Sequence, residues 1–173
     1  MPDRLSLRPL RIEDAEEMTT VLADFSLYAF TGGTPPTKAE LARRYAVQAR
    51  GYSADRSEEW INCIVLLGPQ QEAVGFVQAT IFEDGKSAEI SWVIGNPWQG
   101  RGYGGHAAEL LVQGLLRREI RRIVAHIHPE HEVSQRIATR LAMAPTSTVV
   151  DGEVRWERAI AVPNGHAQGP DAE

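Results

Sequence analysis

The sequence predicts a single α/β domain built around a mixed, largely antiparallel sheet. Three strand-like runs follow one another in the middle of the chain with only short turn sequences between them, as in an antiparallel meander. A glycine-rich segment then leads into helical periodicity, a further apolar strand and another amphipathic helix. The 173 residues match the length of one ordinary domain. We assign residues 1–162 to this domain and expect residues 163–173 to form a flexible tail.

The N-terminal third of the chain predicts one strand and two helices. Apolar and polar residues alternate over Leu5–Pro9, as in a short strand. Apolar residues recur at helical spacing over Ile12–Leu22, which predicts the first helix. Thr37 and Glu40 have the spacing of a capping box, which predicts that a second helix begins there.

The rest of the chain predicts six strands and two helices. The Asp151-Gly152 dipeptide is the strongest hairpin signal in the sequence. The predicted elements are strands Trp60–Leu67, Ala73–Phe82 and Ala88–Gly95, a helix from about Gly104, strand Arg122–His128, helix Val133–Leu141, and hairpin strands Ser147–Val150 and Val154–Ala159.

Composition and charge exclude several classes of function. The net charge of −5 gives no global attraction to nucleic acid or to an anionic membrane. No run approaches the 18 or so apolar residues of a membrane span, and the first residues lack an apolar leader, so we expect a cytoplasmic protein. The single cysteine, Cys63, lies in an apolar run and is expected to be a buried, inert thiol.

The glycine-rich segment predicts an anion site at the start of a helix. Free backbone N–H groups and the helix dipole both favour a phosphate there. The triphosphatase loop is excluded, because Gly100 and Gly105 have its spacing but His106 and Ala107 stand where Lys and Ser or Thr are required. The dinucleotide pattern G-x-G-x-x-G is matched by Gly100, Gly102 and Gly105. A dinucleotide-binding protein stays an alternative, although roughly a hundred residues precede the segment.

A third pattern, Q/R-x-x-G-x-G/A, is met by Gln99, Gly102 and Gly104. The segment around it resembles the acetyl-CoA pyrophosphate loop of the Gcn5-related N-acetyltransferases, the GNAT superfamily. The segment that starts at His128 and contains Pro129 and Ser134 resembles the ribosomal-protein-alanine acetyltransferase (RimJ/RimL-like) branch. Further similar segments are Leu5–Ala15, Gly75–Ala79 and Ala88–Ile94.

The resemblance implies a fold and a cosubstrate. Helices should cover both faces of the sheet, and the fourth and fifth strands should splay apart so that the pantetheine arm of acetyl-CoA lies between them like an extra strand. Tyr103 is expected to pack within the loop, and His131 stands where the branch often has Asn. The residues implied for acetyl-CoA binding are Val93, Ile94, Gln99, Gly100, Arg101, Gly102, Tyr103, Gly104, Gly105 and His131.

Two side chains are candidates for proton chemistry. Strand alternation places Glu89 and Ser91 on one face, and Glu89 is the first candidate for the base that deprotonates the amine. The alternatives are that Glu89 is only a solvated or salt-bridged carboxylate and that His128 is the base. The resemblance gives Ser134 the role of assisting the leaving thiolate; its alternative role is a hydroxyl that caps a helix N-terminus.

The sequence therefore predicts an N-acetyltransferase that moves acetyl from acetyl-CoA directly to a primary amine in a ternary complex. The acceptor is a protein N-terminus or a small-molecule amine, in a cleft lined by residues 24–57 and the hairpin at Asp151. A non-catalytic acyl-CoA-binding or regulatory module is the alternative. No metal is expected, because His126, His128 and His131 lack a completing ligand set. A homodimer is left open.

Overall fold

The fold is described for residues 4–159 by a computed structural model of the chain, so the expected tail at 163–173 lies outside the described residues. The α/β class predicted from the sequence is confirmed. The strands are β1 Leu5–Pro9, β2 Glu59–Leu67, β3 Glu72–Ile81, β4 Ser87–Ile94, β5 Arg122–Ile127, β6 Ala144–Val150 and β7 Glu153–Ala159. The helices are α1 Ala15–Val21, α2 Lys38–Gln48, α3 Tyr103–Arg117 and α4 Glu132–Arg140.

The seven strands form one sheet in the order β1-β2-β3-β4-β5-β7-β6. Among these strands only β4 and β5 pair in parallel. Helices cover both faces, as the resemblance implies. Helices α3 and α4 bury one face in a large core that includes Ile90 and Leu115, whereas α1 and α2 cover the other with a smaller core around Met18 and Leu41. The side chain of Glu89 lies on the α1/α2 face, because side chains alternate along a strand and that of Ile90 lies on the other face.

The two N-terminal helices begin where the sequence predicts. The capping box of α2 is confirmed, since the Thr37 hydroxyl accepts from the Glu40 amide at 3.2 Å and the Glu40 carboxylate accepts from the Thr37 amide at 2.8 Å. The first helix starts as a 3₁₀ turn over Ile12–Asp14 before α1. A second 3₁₀ turn at Phe25–Tyr28, which the sequence analysis did not include, follows α1 and begins the segment between the two helices.

Strand β6 begins three residues earlier than predicted. The prediction started it at Ser147 because Pro145 was read as a break, but the strand already begins at Ala144. Proline is tolerated there because β6 is an edge strand, and the pairing of β6 with β7 is irregular between Pro145 and Val149.

The fourth and fifth strands splay apart, which confirms the expectation from the resemblance. They pair only where Ser87–Glu89 lies beside Arg122–Val124, although β4 continues to Ile94. A β-bulge lies at the far end of this divergence, where β2 pairs with Gly75 and then with Ala73 and leaves Val74 as an extra residue. A bulge bends its strand and increases the local twist. Since Gly75 faces Ile94, the bend occurs at the end of β4 that diverges from β5.

The register also decides which peptide groups face the gap between β4 and β5. The bonds from Phe82 N–H to Ser87 and from Gly95 N–H to Val74 mark the hydrogen-bonded pairs of the β3–β4 ladder. Such pairs alternate in an antiparallel ladder. The peptide groups of Trp92 and Ile94 are therefore directed away from β3 and towards the gap.

We predict that Gly75→Ala destabilises the protein and that Gly114→Ala does not. A Cβ at Gly75 would lie 2.1 Å from the Val93 carbonyl oxygen, so β3 and β4 would have to separate. Overpacking of this kind costs about 1–3 kcal/mol of unfolding free energy. At Gly114, inside α3, a Cβ meets nothing within 4 Å, and alanine should stabilise the helix by up to about 1 kcal/mol. Urea denaturation measures both, and an unchanged midpoint for Gly75→Ala would contradict this account of the strand contact.

Candidate active site

The loop before α3 forms an anion cradle. Gly100 and Gly102 have φ of +77° and +80°, a conformation that L side chains rarely adopt, and a Cβ at either would meet nothing within 4 Å. The N-cap of α3 is Gly102, which has no side chain to occupy the free amides, and the first turn contains no acidic residue. The positive end of this 15-residue helix therefore faces open space, where a phosphate would fit.

The loop is fixed to its neighbours by side chains. The Gln99 amide donates to the Ile94 carbonyl at 2.9 Å, which ties the loop to the end of β4. Arg140 of α4 pairs with Glu109 at 3.0 Å and packs its guanidinium against Gly105 in the first turn of α3. Sequence reasoning missed Arg140, because only the packing of α4 on α3 brings it to the cradle.

The other loop residues differ in exposure. Arg101 is exposed, whereas Tyr103 is partly buried and packs against the larger core. Gly104 lies close to α4, and a Cβ there would be 3.2 Å from Ile137. On β4, the peptide groups of Val93 pair with β3 through Phe76, so of the two strand residues expected to contact the cosubstrate by backbone only Ile94 has its peptide groups directed towards the gap.

Glu89 and His126 form a hydrogen-bonded pair where β4 and β5 begin to diverge. The Glu89 Oε1 and His126 Nδ1 atoms are 2.9 Å apart, and the His126 side chain is 20% exposed. An ionised carboxylate only accepts hydrogen bonds, so Nδ1 carries the hydrogen and the lone pair of neutral His126 lies on Nε2. Sequence reasoning did not connect the two residues, because their contact depends on the parallel register that places Glu89 beside Val124.

His128, the alternative base, has a different hydrogen-bond pattern. Its Nδ1 accepts from the Glu130 backbone N–H at 3.1 Å. The neutral ring therefore carries its hydrogen on Nε2, and its only basic lone pair is already engaged. This geometry favours His126 over His128 as a proton acceptor.

His131 and Ser134 form a second pair at the start of α4. His131 is the N-cap residue, and its Nδ1 accepts from the Ser134 amide at 3.4 Å while its Nε2 lies 3.2 Å from the Ser134 hydroxyl. Burial lowers the pKa of His131, and the nearby His128 lowers it further. The cap of α4 is therefore the His131 side chain and not the Ser134 hydroxyl, so the helix-cap role considered for that hydroxyl is wrong.

The segment between α1 and α2 covers this pair. Phe30 stacks on His131 with ring centroids 4.5 Å apart and contacts His128 at 5.1 Å. At the other end of the segment, Asp24 accepts a hydrogen bond from Asn96 at 3.1 Å. One segment therefore contacts both the start of α4 and the approach to the glycine loop.

The family described as "Acetyltransferase (GNAT) domain" matches residues 4–144 of this chain. The chain belongs to the GNAT family. The resemblance implied two features for this family, a glycine loop before α3 and a splayed β4–β5 pair. The structure has both, and the gap between the two strands ends at the loop. This protein is therefore an acyltransferase.

Individual relatives agree with the family over most of the chain. A Bacillus licheniformis protein named "Uncharacterized N-acetyltransferase p20" is 25% identical over 163 residues, which is 92% of this chain and 90% of that one. A Vibrio cholerae structure, described as "a putative ribosomal-protein-serine acetyltransferase", has a TM-score of 0.72 at 21% identity, covering 91% of this chain and 94% of that one. The aminoglycoside acetyltransferase AAC(6')-Ib with coenzyme A has a TM-score of 0.73 at 19% identity, covering 90% and 95%.

Three further features of this GNAT acyltransferase concern its cysteine, metal ligands and membrane-spanning helices. Cys63 is partly buried on β2, and burial raises the pKa of its thiol, as suits an inert cysteine. In the part of the chain from residue 4 to 159, no three His, Cys, Asp or Glu side chains converge as metal ligands. Over the same residues, no helix combines the length and apolar character needed to cross a membrane.

Proposed function

We propose that this protein transfers the acetyl group of acetyl-CoA directly to a primary amine while both are bound. The observation that carries the proposal is the gap between β4 and β5. The gap begins at the Glu89–His126 pair, runs past peptide groups of β4 that are directed away from β3 and ends at the glycine loop. A long donor with an anionic end and amide groups along its arm matches this sequence of binding features.

Acetyl-CoA would be bound by the loop and by β4. The amides from Arg101 to Gly105 would hold its pyrophosphate, with added positive charge from the exposed Arg101. The pantetheine arm would pair with the peptide groups of Trp92 and with the N–H of Ile94, as an added strand does. Gln99, whose amide is engaged with Ile94, would hold the loop in place rather than contact a phosphate.

The Glu89–His126 pair would accept the proton of the acceptor amine. Amines arrive largely protonated near neutral pH, since their pKa is about 8 for an α-amine and about 10.4 for a lysine-like amine. The free lone pair of His126 is on Nε2, and the carboxylate at Nδ1 stabilises the imidazolium that forms. The neutral nitrogen then attacks the thioester carbon. The C–S bond breaks with its electron pair on sulfur, and the nitrogen loses its second proton to solvent to give the amide.

We favour an acceptor of the kind that the resemblance to the RimJ/RimL-like branch implies, a protein N-terminus or a small amine. Support comes from the segment with Pro129 and Ser134 and from the description of the Vibrio cholerae relative. The segment between α1 and α2, which contains Phe30, lies beside the site on the face of the sheet that carries Glu89. An acceptor would enter there.

The experiment that tests the function combines calorimetry with an assay of thiol release. We expect acetyl-CoA to bind, and a panel of N-terminal peptides and small amines to include members that stimulate release of the coenzyme A thiol and gain an acetyl group by mass. Binding without acceptor-stimulated release would instead favour the non-catalytic acyl-CoA module. Binding of NADH in place of acetyl-CoA would favour the dinucleotide-binding alternative.

We predict that Gly102→Ala weakens coenzyme A binding far more than Gly85→Ala. Both glycines have positive φ, +80° and +63°, and both have open space at Cβ, so the two variants share the same backbone strain. Only Gly102 lies in the cradle. Loss of one hydrogen bond to a charged phosphate should reduce affinity by about 10- to 150-fold. Titration calorimetry measures this, and equal affinities of the two variants would place the pyrophosphate elsewhere.

We predict that His126→Asn lowers kcat by about 100-fold or more, the usual contribution of a general base. Glu89→Gln should lower kcat too, and the double variant should lose no more than His126→Asn, because the two residues act as a unit. The KM for acetyl-CoA should stay unchanged. The defect should shrink as the pH approaches the pKa of the acceptor amine, since less amine then needs a base. Glu83→Gln, in the exposed β3–β4 turn, is the control; a fully active His126→Asn would remove the pair from the mechanism.

A further inference from the structure

We infer that His131 is a positioning residue that holds the hydroxyl of Ser134 so that its hydrogen is available to the sulfur that leaves during acetyl transfer. The inference rests on the proposed function and adds to it a specific role for an imidazole. The resemblance implied only contact with the cosubstrate for His131, and it implied Asn as the usual residue there.

The direction of each hydrogen bond follows from the chemistry of the partners. A backbone N–H can only donate, so the Ser134 amide at 3.4 Å requires a lone pair on His131 Nδ1. The neutral ring then carries its hydrogen on Nε2, which lies 3.2 Å from the Ser134 Oγ and must donate to it. A hydroxyl has one hydrogen and can accept through oxygen, so the Ser134 hydrogen stays free for a third group.

The surroundings keep His131 in the neutral form that this pattern needs. The ring is partly buried under Phe30, which stacks on it at 4.5 Å. The groups that face it from α4 and the preceding loop are Ser134 and His128, neither of which is an anion that would stabilise an imidazolium. A donor into Oγ also strengthens the hydrogen bond that the hydroxyl gives, because chains of hydrogen bonds polarise one another.

The position of α4 directs Ser134 towards the cosubstrate side. Ile137 lies three residues after Ser134, on the same face of the helix, and approaches the loop residue Gly104. Ser134 is therefore on the face of α4 that meets the cradle. As the C–S bond breaks and its electron pair goes to sulfur, the Ser134 hydroxyl would donate to that charge.

The proton balance closes without a change on His131. Two protons leave the acceptor nitrogen: the first passes through His126 to solvent before the attack, and the second leaves as the tetrahedral intermediate collapses. The released thiolate takes up one proton from solvent, so one proton is released overall. His131 keeps its hydrogen on Nε2 throughout, since losing it would leave an imidazolate. Its contribution is therefore orientation and polarisation of one hydroxyl.

The first test is made on the free protein and does not involve turnover. Nitrogen-15 NMR of the histidine rings at neutral pH distinguishes a ring nitrogen that carries hydrogen from one that does not. We expect His131, assigned by comparison with the His131→Asn variant, to carry hydrogen on Nε2 alone. A ring protonated on Nδ1, or on both nitrogens, overturns the inference.

The second test uses His131→Asp, which keeps the helix cap but reverses the hydrogen bond. Aspartate accepts the Ser134 amide as well as histidine does, so the helix cap should be kept. The melting temperature should fall no further than that of His131→Asn, which also lacks the ring on which Phe30 stacks. Having no hydrogen to give, aspartate would accept the Ser134 hydroxyl hydrogen. We expect kcat to fall by about 10- to 150-fold, the effect of one hydrogen bond to a developing charge. The Kd for acetyl-CoA, measured on the same variant, separates any lost contact with the cosubstrate from this effect. Asparagine offers both a donor and an acceptor, and His131→Asn should keep most of the activity.

A double-mutant cycle separates this role from a direct effect of the new charge. Ser134→Ala should lower kcat by a similar factor, and adding His131→Asp should lower it no further. Additive losses, or a His131→Asp variant with unchanged kcat, overturn the inference. If the wild-type protein shows no acceptor-stimulated thiol release, the proposed function fails while the NMR result still stands. If it turns over but Ser134→Ala is fully active, only the role of His131 and Ser134 fails.

Discussion

The interrupted pairing of β4 and β5 is the constraint on which the site depends. Each strand is held by its outer neighbour, β4 by β3 along its length and β5 by β7 over six residue pairs. The strands therefore cannot close on each other without breaking one of these ladders. Backbone N–H and C=O groups need partners, and a strand edge inside a sheet offers them to any extended amide chain. The bulge at Val74 places this edge at the end of β4 that continues into the glycine loop.

Three neighbouring histidines differ in the group that is hydrogen-bonded to Nδ1, and this group decides which ring nitrogen carries the hydrogen. At His126 a carboxylate fixes the hydrogen on Nδ1 and leaves a basic lone pair on Nε2. At His128 and His131 a backbone N–H occupies Nδ1, so the neutral rings are donors through Nε2. The ring beside Glu89 is thus suited to accept a proton and the ring beside Ser134 to donate a hydrogen bond. Residue type alone does not distinguish these roles.

Local signals in the sequence predicted most elements, and long-range register decided what they could not. The Thr37–Glu40 capping box and the glycine loop are short-range patterns, and both are found. Side-chain alternation placed Glu89 on its face of the sheet but could not pair it with His126, which lies 37 residues away on a parallel strand. Alternation also could not predict which neighbouring strand hydrogen-bonds to the peptide groups of Val93, because that depends on the neighbours of β4 in the sheet.

The segment between α1 and α2 contacts two parts of the proposed site, the start of α4 and the approach to the glycine loop. Phe30 shields His131 from water, and through Asp24 the same segment is bonded to Asn96 before the glycine loop. An acceptor that enters beside Phe30 cannot displace that ring without exposing the imidazole beneath it. Exposure would favour the imidazolium, whose Nδ1 no longer accepts the Ser134 amide. In the proposed mechanism, recognition of the acceptor and orientation of the Ser134 hydroxyl would therefore share one aromatic contact, and the residue at position 30 would affect both.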